Sequence, residues 1–421
     1  MNADYIEIPE CIACGSTSLE PLISLNTNDA KGVQPLANSL VDSETTIVLY
    51  PLKAVICTNC THIQLSHAVH PSKLFENYLY VSGTSITLRE YFDSFVNLTT
   101  SRYSAIDKSN VTILDIGCND GTLLDVFREN GYTKTYGIDP SDVAKTNNQH
   151  IIYNDYFELS HEVSARKYDI IIAQNVFAHS CKSHNEAIEF LNKCSSILSN
   201  TGSIYIQFSQ TDMIENSEFD TIYHEHLSFY NNNSFCSLLE AYNKTGIGRP
   251  LYIKNYNRAH IHGKSSLYEL SFSVTEFNKQ KVSPKILRNR IENYINNISI
   301  KEETIPYLIH YYKSNGYKII GLGAPAKATV TINHYGISHL IDYIVDENPL
   351  KQGKFIPSST KIPILDIETL KTEAESEKIL LIPFAWNFLK EMMDKTKARL
   401  KSKDVRCLNI NDLKIYNANR N

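Results

Sequence analysis

Residues 111–131, VTILDIGCNDGTLLDVFRENG, constrain the fold of this chain more than any other stretch. A short apolar run ends in Asp115 and passes through D-x-G-x-x-x-G, with Gly117 and Gly121, into a segment with Leu123, Leu124 and Phe127 at helical spacing. Strand, glycine turn and amphipathic helix in that order make the first corner of a doubly wound α/β sheet. The pattern then repeats. YGID ends at Asp139, NDYF carries Asp155, and YDIIIAQNVFAH reads as a buried strand; a helix over about 185–199 and the strand 203–208 follow. The expected core is therefore a Rossmann-like parallel sheet with helices on both faces.

The acids of this corner select its ligand. In a dinucleotide site the turn places a pyrophosphate on the helix N-terminus, but Asp115, Asn119 and Asp120 crowd this turn and would repel it. They suit S-adenosylmethionine, which has no phosphate, carries a sulfonium and an ammonium, and offers ribose hydroxyls to carboxylates. The expected cofactor residues are Asp115, Gly117, Asn119, Asp120, Gly121, Asp139, Pro140, Asp155 and Asn175.

With 421 residues the chain exceeds what one core usually supports, and three domains of about 150 residues are the expectation. We place them at 1–76, 77–300 and 301–421. A formal charge of −5 gives no broad basic field, which argues against nucleic acid as a partner. No run approaches the ~20 apolar residues of a membrane span, and the N-terminus has no basic-then-apolar leader. A cytoplasmic, membrane-free protein is expected, with its oligomeric state left open.

Four of the nine cysteines fall as C-x2-C pairs, Cys11 with Cys14 and Cys57 with Cys60. Two such knuckles deliver four thiolates tetrahedrally to one Zn²⁺, leaving no position for substrate, so the metal is structural. The residues between the pairs need a looped hairpin of their own, expected around 46–50. A redox C-x-x-C would need one pair in a βαβ context.

Residues 223–230, YHEHLSFY, lie between the strand at 203–208 and a helix beginning in NNSFCSLLEAYNKTG. Ligands of doubly wound sheets sit beyond the carboxyl ends of the strands, so this stretch is expected to line the cofactor crevice. H-E-H lacks the one-turn spacing of an H-E-x-x-H metal site. Acid–base chemistry and a structural cluster are the remaining readings.

In order along the chain stand the paired C-x2-C module, DIGCNDGTLL, GIDPS, NVFAH, YHEHLSFY, GLGAPAKA and FAWNF. This combination resembles the S-adenosylmethionine-dependent sugar C-methyltransferases, which add methyl branches to nucleotide-linked keto-deoxysugars. The resemblance spans essentially the whole chain. It implies a Rossmann-like methyltransferase domain, a small N-terminal zinc-binding domain and a C-terminal Rossmann-like α/β domain. It implies that Tyr223, Glu225, His226, His179 and a tyrosine after the zinc module, Tyr78 or Tyr80, surround the reacting carbon, with His226 as general base. A carbon acid beside a ketone needs such a base and a donor to its enolate oxygen. Glu225 would orient an imidazole, while His179 or a tyrosine would supply the donor. His224, His262, Lys264, Gly323 and Lys327 are the expected substrate contacts. One departure is visible: the family's H-G-G-S-L-R run is replaced by IHGKSSLYEL, which keeps His262 and Gly263 and lacks the arginine, with Lys264 as the candidate substitute.

In the last third, residues 317–336 form a strand, a G-x-G-x-x-A turn and a helix. Three readings stand: an NAD site, which would make the protein an oxidoreductase; a packing turn; and a seat for the sugar nucleotide's diphosphate at the helix N-terminus and Lys327. An O-methyltransferase acting on a sugar nucleotide is a further alternative. FAWNF holds the only tryptophan, Trp386, and reads as core or as a lip of the cleft.

Overall fold

The computed structural model describes residues 4–27, 30–75, 83, 86–146, 149–209, 212–259, 265–274, 283–386 and 389–417. Three sheets organise them. The middle sheet has the order Ile151–Tyr153, Lys134–Ile138, Thr112–Ile116, Tyr168–Gln174, Leu198–Ser209, Ser265–Ser271 and Tyr252–Ala259. Its first five strands are parallel, and the last two close the edge antiparallel. Strands such as Tyr168–Gln174, with Ile170, Ile171 and Ile172 fully buried, are apolar on both faces because helices cover both. Chain order reverses between Thr112–Ile116 and Tyr168–Gln174, which opens the crevice where such sheets bind ligands.

The C-terminal sheet repeats the plan. Ile362–Asp366, Tyr343–Asp346, Tyr317–Leu322, Lys378–Pro383 and Asp404–Asn409 run parallel, with one short antiparallel strand at each edge. Its own reversal lies between Tyr317–Leu322 and Lys378–Pro383. A 31-residue helix, Pro284–Ser314, opens with proline at its first turn and with the Ser283 hydroxyl accepting from the Ile286 N–H. It packs against Tyr317–Leu322, Ala326–Tyr335, Met213–Asn216 and Leu19–Ser24, so it touches all three parts of the chain.

The N-terminal sheet is antiparallel, in the order Ser228–Phe229, Ile63–Leu65, Lys53–Cys57 and Leu19–Ser24. Its edge strand, Ser228–Phe229, belongs to YHEHLSFY: a loop of the middle part completes the sheet of the first. The expected hairpin also forms, with Leu49–Pro51 pairing Val33–Pro35. Beneath the histidine loop Phe177, Phe208, Tyr230 and Phe235 are buried with ring centroids 4.6–6.0 Å apart. Each such side chain contributes roughly 1.5–3 kcal/mol of burial. No helix among the described residues is long and apolar enough to cross a membrane.

Candidate active site

The four cysteines of the front module converge. The Sγ atoms of Cys11 and Cys60 lie 3.5 Å apart, those of Cys14 and Cys57 3.7 Å apart, and all four within 4.8 Å of one another. A tetrahedral Zn²⁺ at about 2.3 Å from each sulfur requires S···S separations of about 3.8 Å. The donor set therefore fits zinc and has no disulfide.

A cavity of about 1230 Å³ lies where the three parts of the chain meet. At its middle-sheet end it is walled by Asp115, Gly117, Asn119, Asp139, Pro140, Asp155 and Asn175. Gly117 holds φ +72°, and a Cβ there would stand 2.2 Å from Val176 Cγ2, so only glycine passes at this turn. Asp139 accepts from the Asn119 N–H at 3.0 Å and from the Ser141 N–H at 2.8 Å, which ties the ends of two strands together. Burial first, then the charges of Asp139 and Asp120, push the Asp115 carboxyl well above the usual carboxylate range. Among the described residues the buried Asn175 Oδ1 has no hydrogen-bond donor. Asp115, Asp139 and the Asn175 Oδ1 are acceptors, and the ammonium, sulfonium and ribose hydroxyls of S-adenosylmethionine would bring the cations and donors that match them.

Two of the expected cofactor residues stand apart from the cavity. The Asp120 carboxylate accepts from the Gly83 N–H, the Thr122 N–H and the Thr122 hydroxyl, closing the turn instead of facing the ligand. Gly121 caps the helix Thr122–Glu129 with φ +83°.

In the histidine loop, Tyr223 and His226 line the cavity together with His179. The three rings are in contact: His179 stacks on His226 at 4.8 Å, and Tyr223 lies tilted against His226 at 3.9 Å. His226 Nδ1 lies 2.8 Å from the Thr221 carbonyl oxygen. A carbonyl only accepts, so Nδ1 carries the hydrogen, and in the neutral ring Nε2 carries the lone pair. Burial lowers His179 to about 4, keeping that ring neutral at ordinary pH.

The neighbours of His226 face elsewhere. Glu225, buried and raised to about 8 by desolvation, accepts from Asn38 Nδ2 at 2.6 Å. The expected orientation of the imidazole by Glu225 is therefore replaced by orientation from the Thr221 backbone. A turn closed by the His226 N–H donating to the Tyr223 carbonyl at 2.9 Å carries Glu225 to Asn38 of the N-terminal part while His226 lines the cavity. His224 is buried and donates from Nε2 to the Tyr50 carbonyl at 3.4 Å; it does not line the cavity, contrary to the expected substrate contact. Tyr78, Tyr80, His262 and Lys264 lie outside the described residues.

The far wall is the C-terminal glycine turn, with Gly323 and Lys327. Gly323 has φ +80° and Ala385 Cβ only 2.9 Å from a would-be Cβ. Lys327 Nζ sits 3.9 Å over the Trp386 ring. Lys351 and Lys395 share this end with Asp346 and Glu347. Sequence reasoning missed Asn38, Thr221, Lys351 and Lys395. Thr221 acts through its backbone, which leaves no side-chain signal, and Asn38 sits in an unpatterned segment between the knuckles.

A carboxylate-walled cavity at the reversal of a Rossmann-like sheet, with a four-cysteine metal site in front, defines a methyltransferase-type enzyme. Three family profiles match successive parts of the chain: "Putative zinc binding domain" over residues 11–75, "Methyltransferase domain" over 88–246 and "C-methyltransferase C-terminal domain" over 271–407. The C-methyltransferase NovU of Streptomyces niveus is 27% identical over 419 residues, 94% of each chain. Among solved structures, the plantazolicin methyltransferase BpumL in complex with SAH is 21% identical, covering 44% of this chain and 84% of that one at a TM-score of 0.34. The magnesium protoporphyrin IX methyltransferase of Synechocystis PCC 6803 is 15% identical, covering 43% and 78% at 0.31. Together these matches support an S-adenosylmethionine-dependent C-methyltransferase with an N-terminal zinc-binding domain, whose cofactors are S-adenosylmethionine and zinc.

Proposed function

We propose that the protein methylates the carbon beside the ketone of a nucleotide-linked keto-deoxysugar, with His226 as the base. The observation that carries this reading is the bond from His226 Nδ1–H to the Thr221 carbonyl, which leaves Nε2 as the basic atom of a residue on the cavity wall. A base so positioned contributes about 10²–10⁴-fold. Nε2 takes the proton on the carbon, and the charge moves to the ketone oxygen. His179, neutral at ordinary pH, or the Tyr223 hydroxyl donates to that oxygen. Bound S-adenosylmethionine supplies an electrophilic methyl group on sulfur, and Asp115, Asp139 and Asn175 hold it at the middle-sheet end. Gly323 and Lys327 receive the diphosphate at the opposite wall. Burial lowers the Lys327 pKa, and a nearby phosphate would restore its preference for the charged form.

The test is a mass-spectrometric screen with S-adenosylmethionine and a panel of dTDP-, GDP-, UDP- and CDP-linked 4-keto-6-deoxy sugars. One methyl group gained on a carbon of one sugar is the expected result. Binding of S-adenosylhomocysteine with no transfer to any member would overturn the substrate class.

A further inference from the structure

The stem of the histidine loop, residues 217–221, is held from the C-terminal side of the molecule. Lys301 Nζ donates to the Ser217 carbonyl at 3.0 Å, and the Tyr294 hydroxyl to the Glu218 carbonyl at 3.2 Å. The Phe219 ring packs on His334 and Tyr335, at 4.6 and 5.3 Å. Trp386 Nε1 donates to Asp220 Oδ2 at 2.6 Å. Asp220 is buried, and its Oδ1 has no donor among the described residues, so the indole supplies the hydrogen bond this carboxylate has. The other face of the contact is Lys327, whose Nζ rests over the same indole. The residue after Asp220 is Thr221, whose carbonyl fixes the tautomer of His226. One peptide unit thus separates the group gripped by Trp386 from the group that grips the base.

We propose that Asp220 and Trp386 are positioning residues: their bond clamps the loop stem to the C-terminal sheet and sets His226 in register with Lys327. The two ends of a sugar nucleotide, the carbon to be deprotonated and the diphosphate, would then be addressed by groups tied through one part-buried contact. The functional half of this inference rests on the reaction proposed above; the mechanical half does not. Trp386→Phe keeps a ring under Lys327 and deletes the N–H donor. Asp220→Ala deletes the acceptor, and Asp220→Asn keeps an acceptor oxygen without the charge.

Hydrogen–deuterium exchange on the full chain reads the clamp without needing turnover. Amides of residues 217–227 should exchange about 10–100-fold faster in Trp386→Phe and Asp220→Ala, the range expected for losing a charge-assisted hydrogen bond. Asp220→Asn should stay closer to the wild type. Affinity for S-adenosylhomocysteine should not change, because the middle-sheet end is untouched, whereas kcat on the sugar should fall in the first two variants and be largely retained in the third. Trp386 is the only tryptophan, so its emission should shift in Asp220→Ala and report the contact in solution. Unchanged exchange in both Trp386→Phe and Asp220→Ala overturns the proposal, and so does faster exchange with kcat intact. If the wild type methylates no sugar in the panel, the exchange pattern alone decides the clamp, and only the substrate reading falls.

Discussion

In the proposed reaction the two ring nitrogens of His226 have different duties: Nδ1 is held by the Thr221 carbonyl, and Nε2 is the proposed base. With Nδ1 committed to Thr221, His226→Ala should leave S-adenosylhomocysteine affinity intact and lower kcat by about 10²–10⁴-fold. Steady-state kinetics alongside a binding titration checks this, and near-normal turnover would move the base to His179. The buried groups around it give a pH signature. Folding holds His179 and His224 at about 4 against about 6.5 unfolded, so between those values the unfolded chain binds the extra protons. Stability therefore rises with pH across that window, by about 1.4 kcal/mol per pH unit for each histidine. Glu225 has the opposite sign: raised to about 8, it keeps a proton that the unfolded chain loses above about 4.5, so its contribution falls as pH rises to 8. Two histidines outweigh one carboxyl up to about pH 6.5, where these three groups together place the maximum. Melting temperatures between pH 5 and 9 should show it, and Glu225→Gln should remove the decline on the alkaline side. The identities of these residues were legible in the sequence. Which of them face the cavity was not, because the His226 N–H closes a turn on the Tyr223 carbonyl, and a backbone hydrogen bond of that kind, not residue spacing, sets the directions the side chains take.

At the scale of elements, a metal site and the histidine loop share one sheet. Ser228–Phe229 pairs with Ile63–Leu65, the Leu65 N–H donates to the Leu227 carbonyl at 2.9 Å, and Asn231 Nδ2 donates to the Thr61 carbonyl at 2.8 Å. Thr61 follows directly on the zinc ligand Cys60, so the knuckle and the loop are anchored together. Apparent binding energies of structural zinc are about 10–16 kcal/mol, and losing that energy should release the N-terminal sheet. Chelation, or Cys57→Ser, should lower the melting temperature and abolish methyl transfer although no cysteine touches substrate. Zinc content, melting and turnover, measured together, check it; full turnover in zinc-free protein would break the link. The glycine turn offers a sharper local test. Gly117→Ala adds a Cβ 2.2 Å from Val176 at a positive φ, and should cost folding stability and most S-adenosylhomocysteine affinity, read by calorimetry. Both C-x2-C pairs and this turn could be read from sequence, since their spacings are local. The pairing of YHEHLSFY with the zinc module joins residues about 165 positions apart and left no periodicity to find.

At the scale of the whole molecule, two sheets of the same plan face one cavity. The middle one presents Asp115, Asp139 and Asp155; the C-terminal one presents a glycine turn with Lys327, while its Lys351 and Lys395 are paired with Asp346 and with Glu347 and Glu391. S-adenosylhomocysteine should stabilise the fold by mass action, by about 2.7 kcal/mol at a hundredfold excess over its Kd, and so raise the melting temperature, whereas NAD should not. A thermal-shift comparison separates the two, and stabilisation by NAD alone would restore the oxidoreductase reading of the C-terminal turn. The sequence by itself determined the strands, the glycine corners, the cysteine tetrad and the candidate base, because each follows from residue chemistry at short spacing. Only the tertiary structure decided that Thr221 rather than Glu225 orients His226, that Asp120 and His224 face away from the cavity, and that three parts of the chain converge on one loop. Those outcomes depend on backbone carbonyls and on contacts across sheets, which carry no signature in the order of side chains.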